Sequence, residues 1–241
     1  MKKLEKSSEL MWVFGIIFVA LGVAICGKSD LGVSMIAAPA FILNEWVAQF
    51  FSVISLGVTE YLFQGVLLII TCLVVKRFNW RYLLAFAVAV IYGYTLDLFV
   101  WLIDGIEIYS VLGKWVALIV GDIITAFGVA CFFRTYMPLQ VYELFVAEFS
   151  SRYKTQIPKV KLFFDLSLLV VSIVLAFTLF GDAVSFNWSN IGASSFHNLG
   201  LGTIVTTLIN SPLIALMGKA IDKLFGSQHL FKNVYQLLKR D

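Results

Sequence analysis

Charge is scarce in this chain. Only 14% of its 241 residues are Asp, Glu, Lys or Arg, against roughly 25% in soluble domains. Hydrophobic residues make up 60%, and the mean hydropathy is +0.91. These values exclude a classical soluble enzyme and a disordered tail. Cysteine is equally sparse: Cys26, Cys72 and Cys131 lie in apolar runs with no CxxC spacing, which excludes a disulfide-rich module. The two histidines, His197 and His229, are expected on opposite faces, without Cys or His companions, so no metal site is expected. No GxSxG, HExxH or Walker signature occurs, so neither catalysis nor a cofactor is expected. The net charge is only +3, in small loop clusters, which argues against nucleic acid as a partner.

What the chain has is long apolar runs. Six stand out, at 10–27, 57–75, 82–103, 115–133, 162–180 and 200–218. Each matches the roughly 20 residues needed to cross a bilayer as a helix. The first lacks an AxA cleavage site and is too long for a signal h-region, so it is expected to remain. Two shorter stretches, 33–52 and 138–149, carry Pro39, Asn44 and Glu45 or Pro138, Gln140, Glu143 and Glu148. If neither crosses and the N-terminus is cytoplasmic, 16 Lys and Arg face inward and 2 outward; if both cross, the split is 13 to 5. The positive-inside rule favours the first arrangement. The expected protein is all-α, with six spans, both termini cytoplasmic, and two short re-entrant or interfacial helices. The plasma membrane is its expected location. Residues 221–241 mix apolar and basic side chains and are expected as an amphipathic helix on the cytoplasmic face.

The chain also repeats itself. Gly15–Ala24 reads GIIFVALGVA and Gly121–Ala130 reads GDIITAFGVA, with six identities in ten positions at an offset of 106. Lys28 then aligns with Arg134. A break follows in each copy, at Gly32 and at Pro138, before a short apolar segment. Two expected units result, 1–106 and 107–220, with three spans each and a tail from 221. An odd span count inverts the second unit in the membrane, a pattern found in many secondary transporters.

The Lys28–Ser34 run KSDLGVS, the Leu199–Thr203 run LGLGT and the Gly93–Asp97 run GYTLD resemble the YczE/YyaS/YitT-like bacterial integral membrane proteins. The resemblance covers most of residues 10–220. It implies a membrane protein with a transport role and supplies no substrate.

Polar side chains within spans are costly, so each is a candidate for function. Ala85, Ala89, Gly93 and Asp97 form one stripe at i+4 spacing, and Gly202, Thr206 and Asn210 form another. Asp97 and Asn210 are therefore expected to line a polar cavity; the alternative is that Asp97 reaches the interface. Asp122 has Ile16 as its repeat mate, an asymmetry that suggests a proton or cation site, or else a helix-packing hydrogen bond. Glu60 and Asp165 open the second spans and are expected as solvated ends, with Gln64 one turn beyond Glu60. Lys28 and Arg134 each precede a short helix, where a cation beside the positive end of a helix dipole suits an anionic substrate; ordinary snorkelling is the alternative. Gly32 and Ser34, at the first break, complete the expected substrate-binding set. The outward loop from Gly181 to Leu199 carries no Lys or Arg and is expected to cap an outward cavity.

The expected function is a small secondary transporter for a small polar or anionic solute. Two alternatives stay open: a substrate-binding subunit that needs an energising partner, and a non-transporting assembly or regulatory factor. The expected partners are the lipid bilayer and an unidentified small molecule, with a homodimer left open.

Overall fold

The computed structural model describes residues 4–51, 53–180 and 197–228. Among these residues eight helices follow one another: α1 Ser8–Lys28, α2 Ala38–Ala48, α3 Leu56–Val75, α4 Arg81–Ile103, α5 Val111–Phe132, α6 Val141–Tyr153, α7 Ile157–Phe180 and α8 Leu201–Leu224. Six of them, all but α2 and α6, are long and apolar enough to cross a membrane. This is a multi-pass membrane protein. At about 1.5 Å per residue, α2 and α6 rise only about 16 and 20 Å, well short of a hydrocarbon core of about 30 Å.

The helix ends follow from local chemistry. Ser55 caps α3 by accepting from the Val58 N–H, and Ser110 caps α5 by accepting from the Gly113 N–H. Pro39 sits in the first turn of α2, where its missing N–H costs nothing. Lys76 and Lys154 end α3 and α6 in the left-handed conformation.

Helices α1 and α5 cross at the centre, and glycine sets how close they come. A Cβ on Gly22 would stand 2.5 Å from the Gly121 carbonyl oxygen, and one on Gly121 would stand 2.8 Å from that of Gly22. Gly15 and Gly128 face each other in the same way, at 3.3 and 3.0 Å. Gly15 meets Gly128 while Gly22 meets Gly121, so the two helices run antiparallel. Around this pair, α4 packs on α1 and α8 on α5; α2 packs on α7 and α6 on α3. Helix α3 also lies close against α4, at Gly57 and Gly93.

Polar contacts tie the two ends of the bundle. At one end Lys28 reaches the backbone carbonyl of Asp104 at 2.6 Å, and Lys114 pairs with Asp30 at 2.8 Å. At the other, Arg134 grips Asp222 with two bonds of 2.7 Å, and Ser8 donates to Thr135 at 3.0 Å. Tyr136 bonds Glu9 at this same end. Burial, reinforced by the Glu9 carboxylate, pushes the Tyr136 hydroxyl up to about 12.

The tail departs from expectation at its start. No separate amphipathic helix opens at 221, because α8 continues to Leu224 and Phe225–Gln228 form strand β2. This strand pairs in parallel with β1, Leu4–Ser7, joining the segment before α1 to the one after α8. Residues 229–241, and the loop at 181–196 expected to cap an outward cavity, lie outside the described residues.

Candidate functional site: a buried polar cavity between the two short helices

Each short helix is buried at its N-terminal half and exposed at its C-terminal end. The residues that start them, Ala37 before α2 and Gln140 before α6, line one cavity at the centre of the protein. Ser34, Glu60, Tyr92, Thr125, Tyr142, Glu143 and Asn210 add to its polar wall, with Val19, Val23 and Val129 from the central helix pair. The cavity holds about 20 Å³, room for one water-sized body. A second, wider cavity of about 420 Å³ opens beside Arg77, Arg81, Tyr136 and Glu148. Leu139, Leu144 and Tyr82 form part of its wall.

The polar groups bond one another in part. Glu60 Oε1 accepts from the Tyr142 hydroxyl at 2.9 Å and from Gln64 Nε2 at 3.4 Å. Asp122 accepts from Asn210 Nδ2 at 3.2 Å, joining α5 to α8. Lys161 donates to both oxygens of Asp165, at 3.2 and 3.1 Å, one turn apart on α7. Glu143 lies beside Lys161 in the adjoining narrow space, closed by Ile36, Phe133 and Phe164. Glu60 Oε2, Gln64 Oε1, Glu143 Oε2 and Asn210 Oδ1 are buried with no partner. Unpaired oxygens at this depth are rare in native structures and call for an explanation.

Of the residues expected from sequence, Ser34 and Asn210 line the cavity, while Asp122 and Gln64 bond its lining residues Asn210 and Glu60. Gly32 supports the site from one end. Its φ of +101° suits glycine, and a Cβ there would stand 2.7 Å from the Gly200 nitrogen. Next to it, Gly202 N–H donates to the Leu31 carbonyl at 2.9 Å and Val33 N–H to that of Asn198 at 3.0 Å. The KSDLGVS and LGLGT runs are therefore packed against each other. Asp97 lies elsewhere: it accepts from Ser55 Oγ at 2.6 Å and from the Gly57 N–H at 2.7 Å, fastening the start of α3 to α4. Lys28 and Arg134 also stand apart from the cavity, held at the two ends by Asp104 and Asp222.

Glu60 and Asp165 correct the sequence reading. They are not solvated helix ends but are 1% and 3% exposed. The packing of α6 on α3 and of α2 on α7 covers them. Gln140, Tyr142, Glu143 and Lys161 were not among the expected site residues. The signal for Lys161 was its spacing: Lys161 and Asp165 are the fifth and ninth residues of α7, as Glu60 and Gln64 are of α3. His197 has neighbours the sequence did not suggest. Its ring contacts Glu45 at 2.6 Å and stacks on Phe180. Among the described residues, no group of three His, Cys, Asp or Glu gathers to hold a metal.

With this geometry in hand, comparison with known proteins places the chain in a family. A model for a family of unknown function, DUF6198, matches residues 6–219. The chain belongs to that family. The match runs from within β1 into α8 and includes every residue of the cavity. No curated protein and no solved structure matches the chain.

Proposed function

We propose that this protein is a small secondary transporter that carries a small polar solute across the plasma membrane by alternating access, with the central cavity as its site. One observation carries the reading: two helices too short to cross meet, N-terminal ends inward, at a buried cavity with unpaired polar atoms. Broken helices at membrane depth are tolerated where protein buries them or where they line a cavity, and transporters place their substrate there.

The packing supports an inverted repeat as well. Exchanging α1–α4 with α5–α8 turns each of the contacts α1 on α4, α2 on α7 and α2 on α3 into another observed contact. It also turns Gly15 on Gly128 into Gly121 on Gly22. Because α1 and α5 are antiparallel, the relating axis lies in the membrane plane. The resemblance to YczE/YyaS/YitT-like proteins agrees with this reading. The charge count puts both termini, and the wide cavity beside Arg77 and Arg81, on the cytoplasmic side. An anionic solute is disfavoured, because Lys28 and Arg134 are engaged by acidic residues away from the cavity.

The test is uptake by the purified chain alone in liposomes, using a panel of labelled small polar solutes. Saturable movement without ATP or a second protein supports the proposal. Movement that appears only after an energising partner is added replaces it with the binding-subunit reading.

A further inference from the structure

The unpaired atoms at the cavity share one chemical character. Glu60 Oε2, Glu143 Oε2, Asn210 Oδ1 and the adjacent Gln64 Oε1 are all acceptors. The orientation of Asn210 is set by its amide nitrogen, which donates to Asp122; that of Gln64 is set by its bond to Glu60. All four residues are 5% exposed or less, so bulk water does not supply the missing donors.

Charge points the same way. Glu60, Asp122, Glu143 and Asp165 are all buried, and the one buried lysine among the described residues, Lys161, is itself bound to Asp165. Buried carboxylates without a counter-charge are costly. The start of α2 offers an anion little in return. The N–H groups of Ala37 and Ala38 donate to the Ser34 carbonyl, that of Ala40 to the Ala37 carbonyl, and Pro39 has none.

We propose that the cavity binds one small cation, held by Glu60 Oε2, Glu143 Oε2 and Asn210 Oδ1. Two sources share this chemistry: a dehydrated monovalent metal ion of sodium size, and the ammonium head of a small amine. Oxygen ligands suit both, and a space of about 20 Å³ admits either in place of one water. What the cation does once bound, as coupling ion or as cargo, rests on the transport reading; the binding itself does not.

The experiment is thermal unfolding of the purified full-length protein in detergent at constant ionic strength and pH. Choline chloride is replaced stepwise by sodium chloride or by methylammonium chloride. A ligand that binds only the folded state raises the melting temperature with its concentration. A saturating rise with sodium assigns the metal ion; a rise with methylammonium assigns the amine. Either rise is expected to disappear in Glu60→Gln and Glu143→Gln, whose amides keep the shape and lose the charge. Infrared difference spectra of the wild type, taken on the same exchange, are expected to show a shifted carboxylate stretch. This readout does not depend on the variants folding. The proposal is overturned if neither cation stabilises the wild type beyond choline, if the rise survives in both variants, or if the carboxylate bands do not move. Cation binding without flux in liposomes would instead overturn the transport reading alone.

Discussion

The hydroxyl of Tyr142 donates to Glu60 at 2.9 Å, so the first turn of α6 closes onto a carboxylate of α3 at the wall of the cavity. Losing that hydroxyl leaves Glu60 Oε1 with Gln64 alone. Tyr142→Phe is therefore expected to destabilise the protein by about 1–3 kcal/mol. Glu60→Leu removes the acceptor of that bond and leaves the Tyr142 hydroxyl buried without it. In a double-mutant cycle measured by unfolding in detergent, the two changes should couple by at least about 0.5 kcal/mol. Strictly additive effects would mean that this bond does not hold the site.

The α1–α5 crossing gives a prediction that depends on contact between backbones. A Cβ on Gly22 or Gly121 falls within 2.5 to 2.8 Å of the facing carbonyl oxygen, whereas nothing lies within 4 Å of one on Gly105. Gly22→Ala and Gly121→Ala are each expected to lower stability by about 1–3 kcal/mol through overpacking. Gly105→Ala should change it by less than about 0.5 kcal/mol. Thermal unfolding of the three variants side by side checks the order.

Asp97 binds the start of α3 through Ser55 and Gly57. Asp97→Asn keeps one acceptor oxygen but turns an N–H₂ toward one of these two donors. It is expected to cost about 1–2 kcal/mol, as other lost helix caps do. Flux or ligand stabilisation per folded molecule should stay near wild type. Asp97→Leu should fail by misfolding. Loss of flux in well-folded Asp97→Asn would bring this residue back into the mechanism.

The pairs at the two ends involve partly exposed side chains, with Asp104 at 81% and Asp222 at 61% exposure. Exposed pairs contribute about 0–1 kcal/mol. Lys28→Gln and Arg134→Gln are accordingly expected to lower stability by no more than about 1 kcal/mol and to leave ligand stabilisation unchanged. Stabilisation of the wild type by an anionic solute that disappears in either variant would restore an anion-binding role for these cations.

The spans were legible because hydropathy is a property of each segment by itself. The breaks at Gly32 and Pro138 marked the short helices. The Gly15–Gly22 and Gly121–Gly128 runs were legible as a repeat, but not as two faces that pack on each other. The small-residue stripe of α4 was legible as a close-packing face, with Gly57 opposite Gly93. Depth was not legible. Glu60 and Asp165 lie near the starts of α3 and α7, and only the placement of α6 and α2 over them shows that they are buried. Partners distant in sequence were equally hidden. The pairing of Arg134 with Asp222 spans 88 residues, and that of His197 with Glu45 spans 152. No local pattern encodes such contacts.

The central claim is that the cavity between α2 and α6 opens to each side of the membrane in turn. Ser34 lines that cavity and is not bonded through its side chain to the groups that hold the site together. The direct measurement is labelling of Ser34→Cys after Cys26, Cys72 and Cys131 have been replaced by serine or alanine. A membrane-impermeant thiol reagent is added to one face or the other, in intact cells and in inverted vesicles. Labelling is expected from both faces, slowed from each by the cation that stabilises the protein. Labelling from neither face, or from one face only under every condition, would contradict alternating access at this cavity.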